Sequence, residues 1–232
     1  MNILYSLMIY SRIWRDLFTI LGENLYQNRK DLFREARSGS IKPTDAFIVA
    51  KLLCRHKPGR ILEIGSFLGI STRCLLDVSA SWNAHVTAVD PNIRHRIFEE
   101  PNRYVKKLTS HHNKDRLEIV TAFFGEPVQK SPGAIPVIDA SWGRTFDLVF
   151  IDGDHSYQAV AENFRLALTM LASGGVILFH DALSWPDVNR FLEELKTEFK
   201  DRATVSILGN SDRKFLSYIG RSNDGIGYFK LL

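Results

Sequence analysis

Past residue 60 the chain alternates short apolar runs with longer segments whose apolar positions recur at helical spacing. Ile61 to Ile64, His85 to Val89, Leu117 to Thr121, Phe146 to Ile151, Gly175 to Phe179, Thr204 to Leu208 and Gly227 to Lys230 read as strands. Ser71 to Ser79, Ile97 to Leu108, Gln158 to Leu171 and Pro186 to Phe199 read as helices between them. Such alternation predicts an α/β protein with a seven-stranded, mostly parallel, doubly wound sheet and helices on both faces. Pro132 to Arg144, rich in Pro, Gly and Ala, reads as a loop.

Before residue 60 the pattern is helical throughout. Leu25 to Arg37 is a charged amphipathic stretch, broken by Ser38-Gly39-Ser40. Ala46 to Cys54 follows Lys42-Pro43-Thr44-Asp45, where Thr44 or Asp45 suits an N-cap, and Lys57-Pro58-Gly59 ends it. The expected organisation is a helical extension over 1–58 and one ligand-binding domain over 59–232. Met1 to Tyr10 and Leu17 to Leu21 are apolar, but Arg12, Arg15 and Asp16 interrupt them, so no spanning segment is expected. This amphipathic helix packs on its own domain, or on a second subunit as a homodimer, or lies on a membrane surface.

Composition narrows the class. With 232 residues, 45% of them hydrophobic, the chain can bury a real core without disulfides or structural metal. Its two cysteines, Cys54 and Cys74, sit in apolar helical stretches and read as free thiols in a reducing, cytoplasmic compartment. Thirty basic against 26 acidic residues leave +4, too small a surplus to indicate nucleic acid. Much of the basic charge lies between 92 and 116, reading as a solvated flank or as contact for a phosphate-bearing substrate.

The most informative stretch is Glu63-Ile-Gly65-Ser66-Phe67-Leu-Gly69-Ile-Ser71-Thr72. A buried strand ends in an acid and enters a glycine turn before a helix opens on hydroxyl residues. Glycine there permits φ > 0 and close backbone approach. A dinucleotide fingerprint would be GxGxxG. Here Glu63 replaces its first glycine, which disfavours a pyrophosphate and a nicotinamide-dependent oxidoreductase, and suits a ligand with a cation and hydroxyls. Asp90 ends the second strand about 20 residues further on, where a carboxylate can accept both ribose hydroxyls.

With Asp152-Gly-Asp154-His155 after the fourth strand and Gly174-Gly175-Val-Ile-Leu-Phe-His180-Asp181 at the fifth, these motifs resemble the class I S-adenosylmethionine-dependent methyltransferases. Within them the chain is similar to the small, often metal-dependent catechol and caffeoyl-CoA O-methyltransferases, and closer to bacterial relatives that modify sugars or secondary metabolites. The resemblance covers residues 42 to 185 and implies a Rossmann-like fold and O-methylation of a small-molecule hydroxyl.

It also implies roles. Gly65, Ser66, Phe67, Gly69, Ser71 and Thr72 would wrap the methionine part of the cofactor, with Glu63 and Asp152 beside it and Asp90 on the ribose. Thr121 to Phe124 falls where adenine would lie, with Ala122-Phe123 where relatives often carry an acid. Asp152 and Asp181 match metal-ligand aspartates and suit Mg²⁺, but Ala182 replaces the usual third ligand. Otherwise these carboxylates touch the cofactor amine or position the base. His155 stands where metal-dependent relatives carry a basic lysine, and is the expected general base. His180 is the second candidate, as base or as metal ligand. Trp142 and Trp185 fall in loops at the same edge and suit a pocket wall or local packing. Nucleic-acid methylating relatives carry an Asn/Asp-Pro-Pro-aromatic motif where this chain has Asp152-Gly-Asp-His, so a nucleic-acid-directed or non-catalytic member of the fold is the remaining alternative.

Overall fold

The computed structural model describes residues 3–23, 28–112, 114–128, 135–209 and 224–232. The start of the charged stretch expected from Leu25 and the first part of the loop expected from Pro132 lie outside the described residues. Three helices come first: α1 (Ile3–Leu21), α2 (Arg29–Ser38) and α3 (Pro43–His56). Then follow β1 (Arg60–Ile64), α4 (Ile70–Val78), β2 (His85–Asp90), α5 (Pro101–Leu108), β3 (Leu117–Thr121), β4 (Phe123–Phe124) and β5 (Val137–Ile138). The chain ends with β6 (Phe146–Ile151), α6 (Tyr157–Thr169), β7 (Leu171–Phe179), α7 (Pro186–Glu198), β8 (Ala203–Leu208) and β9 (Ile226–Leu231).

Seven strands form one sheet in the order β3-β2-β1-β6-β7-β9-β8. The first five are parallel, and β9 runs antiparallel to both β7 and β8. The expected seven-stranded, mostly parallel sheet is therefore present. A separate parallel pair, β4 with β5, was not expected; two residues per strand leave no periodicity to read. Central strands β1 and β6 are buried on both faces, which is why they read as continuous apolar runs. Helix α5 begins at Pro101, not Ile97, because proline suits the first helical turn and restricts the residue before it.

A hydrophobic core lies on each face of the sheet. One contains Phe164, Phe191 and Leu192 of α6 and α7. The other contains Ile61, Leu75 and Leu148 together with Ile9, Ile13, Leu17 and Leu21 of α1. The α1 stripe thus packs on this chain's own sheet-face core at i, i+4 spacing, while Leu4, Tyr5, Met8 and Phe18 remain exposed. Among the described residues no helix is long and apolar enough to cross a membrane.

Strand order reverses between β1 and β6: the chain winds outward through β2 and β3, returns to β6, and continues to β7. In such sheets ligands bind outside the carboxyl ends of the strands at this switch point. Leu17 tests whether α1 belongs to the core. It is fully buried, so Leu17→Ala should cost about 2–5 kcal/mol in urea unfolding. A loss under about 1 kcal/mol would mean that α1 contributes no cohesive packing.

Candidate active site

Three hydrogen bonds carry the parallel ladder one residue past the strand ends. Gly65 N donates to Val89 O (2.8 Å), Asp152 N to Ile64 O (2.8 Å) and His180 N to Ile151 O (2.9 Å). Side chains from adjacent strands therefore emerge at one level. Gly65 has φ +85°, and a Cβ there would lie 2.2 Å from the Asp152 carbonyl oxygen. Only glycine allows the turn to pass so close to the end of β6. Gly69 caps α4 at φ +86°, and Phe67 also has positive φ, at 45°.

Two acids brace this turn. Asp90 Oδ2 accepts from the backbone N of Ser66 and of Phe67 (3.1 Å each), and its Oδ1 accepts from Asn92 N (2.7 Å). Glu63 is 0% exposed, and its Oε2 accepts from Thr72 Oγ1 at 2.5 Å. Burial pushes the Glu63 pKa up to about 8, helped by the charges of Asp152 and Asp90 and opposed by hydrogen bonds from Ser71 and Thr72. Among the described residues its buried Oε1 accepts no hydrogen bond of ordinary geometry, and the buried Ser66 Oγ makes none. Unsatisfied buried acceptors are rare and costly, so these two atoms mark the place for a polar ligand.

Beside the turn lie two aspartates and two histidines. His180 Nδ1 is 2.9 Å from Asp152 Oδ1 and 3.4 Å from Asp181 Oδ2. His155 Nε2 is 2.8 Å from Asp181 Oδ2 and 3.9 Å from Asp152 Oδ1. Burial opposes charge on both imidazoles, but the carboxylates outweigh it: His155 rises to about 9, and His180 well above its ordinary value. Conversely, the histidines hold Asp152 and Asp181 below the usual carboxylate range despite burial. The histidines differ in access. His180 has a side-chain exposure of 5% and His155 of 25%. The His155 ring stacks on Trp185 at 4.9 Å between centroids.

The structure thus brings Glu63, Gly65, Ser66, Phe67, Gly69, Asp90, Asp152, His155, His180 and Asp181 to one edge. Ser71 and Thr72 are buried in the first turn of α4, where Thr72 holds the Glu63 carboxyl. Trp142 stays apart, beside Phe146 and Arg144. Sequence reading missed two residues. Asp45 is fully buried. It accepts from Asp224 N (2.9 Å) and Gly225 N (3.1 Å), and lies 3.8 Å from His180 Nε2. An acid amid the buried Ala46, Val49 and Ala50 of α3 was the available signal. Asn102 is the other. Its Nδ2 donates to Thr121 Oγ1 at 3.2 Å and its buried Oδ1 has no partner among the described residues, beside the stretch expected to meet adenine.

The basic run 92–116 is largely spoken for. Arg94 pairs with Glu99, Arg96 with Glu35 and Lys107 with Glu23. Arg116 is buried and donates to Ala84 O, Leu76 O and Ser79 Oγ.

Residues 62–182 match a family described as a methyltransferase domain. No curated protein matches the chain by sequence. Among solved structures, the SAH-bound methyltransferase PaMTH1 of Podospora anserina superposes with a TM-score of 0.59 at 12% identity, covering 97% of this chain and 88% of that one. A candidate caffeoyl-CoA O-methyltransferase from Staphylococcus aureus gives 0.58 at 16% identity, over 87% and 90%. An O-methyltransferase from Bacillus cereus in complex with SAH gives 0.56 at 18% identity, over 92% and 96%. At such identities the likeness is one of fold.

Glu63 predicts a pH dependence of stability. Its folded pKa, about 8, exceeds the roughly 4.3 of an unfolded glutamate. The protonated form is thus favoured on folding, and stability from this group is complete below the unfolded value and is lost as pH rises through about 8. Glu63→Gln should remove that slope and be the more stable protein above pH 8. Parallel stability–pH curves from urea melts would show instead that Glu63 is ionised in the free protein.

Proposed function

The chain belongs to the methyltransferase family that residues 62–182 match, and from that premise we propose that it moves the methyl group of S-adenosylmethionine to a hydroxyl of a small molecule. The observation that carries the reading is the buried, unpartnered Oε1 of Glu63 beside the unpartnered Oγ of Ser66. Glu63 lies near the end of β1 and Ser66 in the glycine turn that follows it, at the switch point. A carboxylate suits the cofactor's ammonium group, and the next strand ends in Asp90, whose carboxylate suits ribose hydroxyls. SAH in two of the solved structures supports the same ligand class. Asn102 Oδ1, buried and unpaired, suits the adenine amino group in place of the acid absent at Ala122.

Bound there, S-adenosylmethionine supplies a methyl group activated by a sulfonium. The chain supplies position and a base. Of the two histidines, His155 has the access. Its Nε2 lies 2.8 Å from Asp181 Oδ2, which leaves Nδ1 as the ring nitrogen for the acceptor hydroxyl. Nδ1 takes the hydroxyl proton as the oxygen attacks the methyl carbon in line with the departing sulfur, which leaves as a neutral thioether. Asp181 and Asp152 then stabilise the imidazolium. His180, buried under both carboxylates and against Asp45, holds them in place.

Asp152, His155 and Asp181 present ligand atoms all within 4.8 Å of one another, enough for a divalent cation. The fit to Mg²⁺ is poor. Mg²⁺ prefers oxygen ligands, each carboxylate already faces an imidazole, and Ala182 offers no donor. The proposed reaction therefore needs no metal. Cys54 and Cys74, neither in a disulfide among the described residues, fit a reducing cytoplasmic compartment.

Three measurements test this. His155→Asn should lower kcat by about 10²-fold or more while SAH affinity stays within about threefold; unchanged turnover removes His155 as base. Because the base must be unprotonated, kcat/KM for wild type should rise with pH and level off near the His155 value of about 9. A flat profile across that range contradicts the assignment. After dialysis against EDTA, activity should persist. Loss restored by Mg²⁺ would assign Asp152 and Asp181 to a metal instead.

A further inference from the structure

Resting on that reading, the geometry points to a second subsite on the N-terminal helices: a basic pocket that holds a phosphate group of the methyl acceptor. An open depression of about 450 Å³ lies against α2 and the start of α3, lined by Lys30, Phe33, Arg34, Arg37, Ser38 and Lys42. The size suits a small-molecule group. Positions 30, 33, 34 and 37 share one face of α2, opposite the buried Leu32 and Ala36. Phe33 forms an apolar floor, packed edge-on against Trp14 and Phe18.

The charge there is only partly compensated. Arg34 lies 3.0 Å from Asp31 and 3.4 Å from Glu35, and Glu35 is shared with Arg96. Lys42 Nζ is 4.0 Å from Asp224 and donates to Arg37 O and Ser40 O. The side chains of Lys30 and Arg37 form no ion pair among the described residues. Two unpaired cations, with Arg34 and Lys42 beside them, form a concave site for a group with several negative oxygens. In the run 92–116, by contrast, Arg94, Arg96 and Lys107 are ion-paired and Arg116 is bound to backbone carbonyls.

Two contacts tie the end of α2 and the start of α3 to the elements around the methyl-transfer site. Lys42 stands three residues before Asp45, whose carboxylate lies 3.8 Å from His180 Nε2. Three residues span at most about 11 Å. On the other side, a Cβ on Gly39, just after α2, would lie 2.9 Å from the Phe67 ring, so this turn rests on the glycine loop. In this proposal the acceptor sets its hydroxyl at His155 and its phosphate against Lys30 and Arg37. The helical extension then has a task in substrate choice as well as in packing.

The test uses inorganic pyrophosphate as probe, titrated calorimetrically at low salt into the full chain and into Lys30→Gln/Arg37→Gln, with SAH titrated into both. Co-sedimentation with phosphatidylglycerol/phosphatidylcholine vesicles runs alongside, to separate a free phosphate from a lipid headgroup. Pyrophosphate should bind the wild type, and the double variant about tenfold more weakly or worse, with SAH affinity equal in both. Vesicle binding lost in the variant, without pyrophosphate binding, assigns the same chemistry to a lipid-borne phosphate. Binding of neither probe, or binding unchanged in the variant, overturns the subsite. If SAH binds both proteins, only this inference has failed; if SAH binds neither, the methyltransferase reading has failed separately.

Discussion

The site depends on how closely Gly65 passes the end of β6. A single Cβ at that position would stand 2.2 Å from the Asp152 carbonyl oxygen, well inside van der Waals contact. Because nothing but hydrogen projects there, the turn after β1 can lie across the neighbouring strand. Gly65, Asp152 and His180 then emerge in one row, each tied by a backbone bond to the strand beside it. The Glu63 carboxyl is held beneath the turn and the Asp90 carboxylate clamps it from the side. Neither acid would be so placed if the turn bulged outward.

Charge compensation is the second organising feature. Asp45, Asp152 and Asp181 surround His180, and His155 bridges the latter two aspartates from the more open side. Three buried acids without partners would be prohibitively costly. The imidazoles between them hold Asp152 and Asp181 below the usual carboxylate range and set their positions. This arrangement separates two histidines that look alike in the sequence. The buried one organises the carboxylates, and the accessible one, stacked on Trp185, can meet a substrate.

Much of this was legible in the chain. The parallel strands are buried on both faces and so appear as continuous apolar runs. The Glu63, Gly65, Gly69 and Asp90 spacing lies within one strand–turn–helix–strand unit, where local rules operate. What escaped depends on distant residues. Asp45 reads as a helix-start acid, because the amides of residues 224 and 225 that it caps are remote in sequence. The pairing of Arg96 with Glu35 and of Lys107 with Glu23 likewise joins segments far apart. Nothing local distinguishes those cations from Lys30 and Arg37. The strand β7 begins at Leu171 instead of Gly175 because its pairing with β6 extends the ladder past two glycines, against their weak strand preference.

The central claim is that the edge around Glu63 accepts a nucleoside bearing an ammonium group and not a dinucleotide pyrophosphate. Calorimetric titration of SAH near neutral pH, in two buffers of different ionisation enthalpy, tests it most directly. The free carboxyl of Glu63 is largely protonated there, with a pKa of about 8, and the ligand's ammonium group favours the ionised form. One SAH should therefore bind per chain with release of a proton, and NAD should not compete. Absence of SAH binding together with saturable NAD binding would contradict the account.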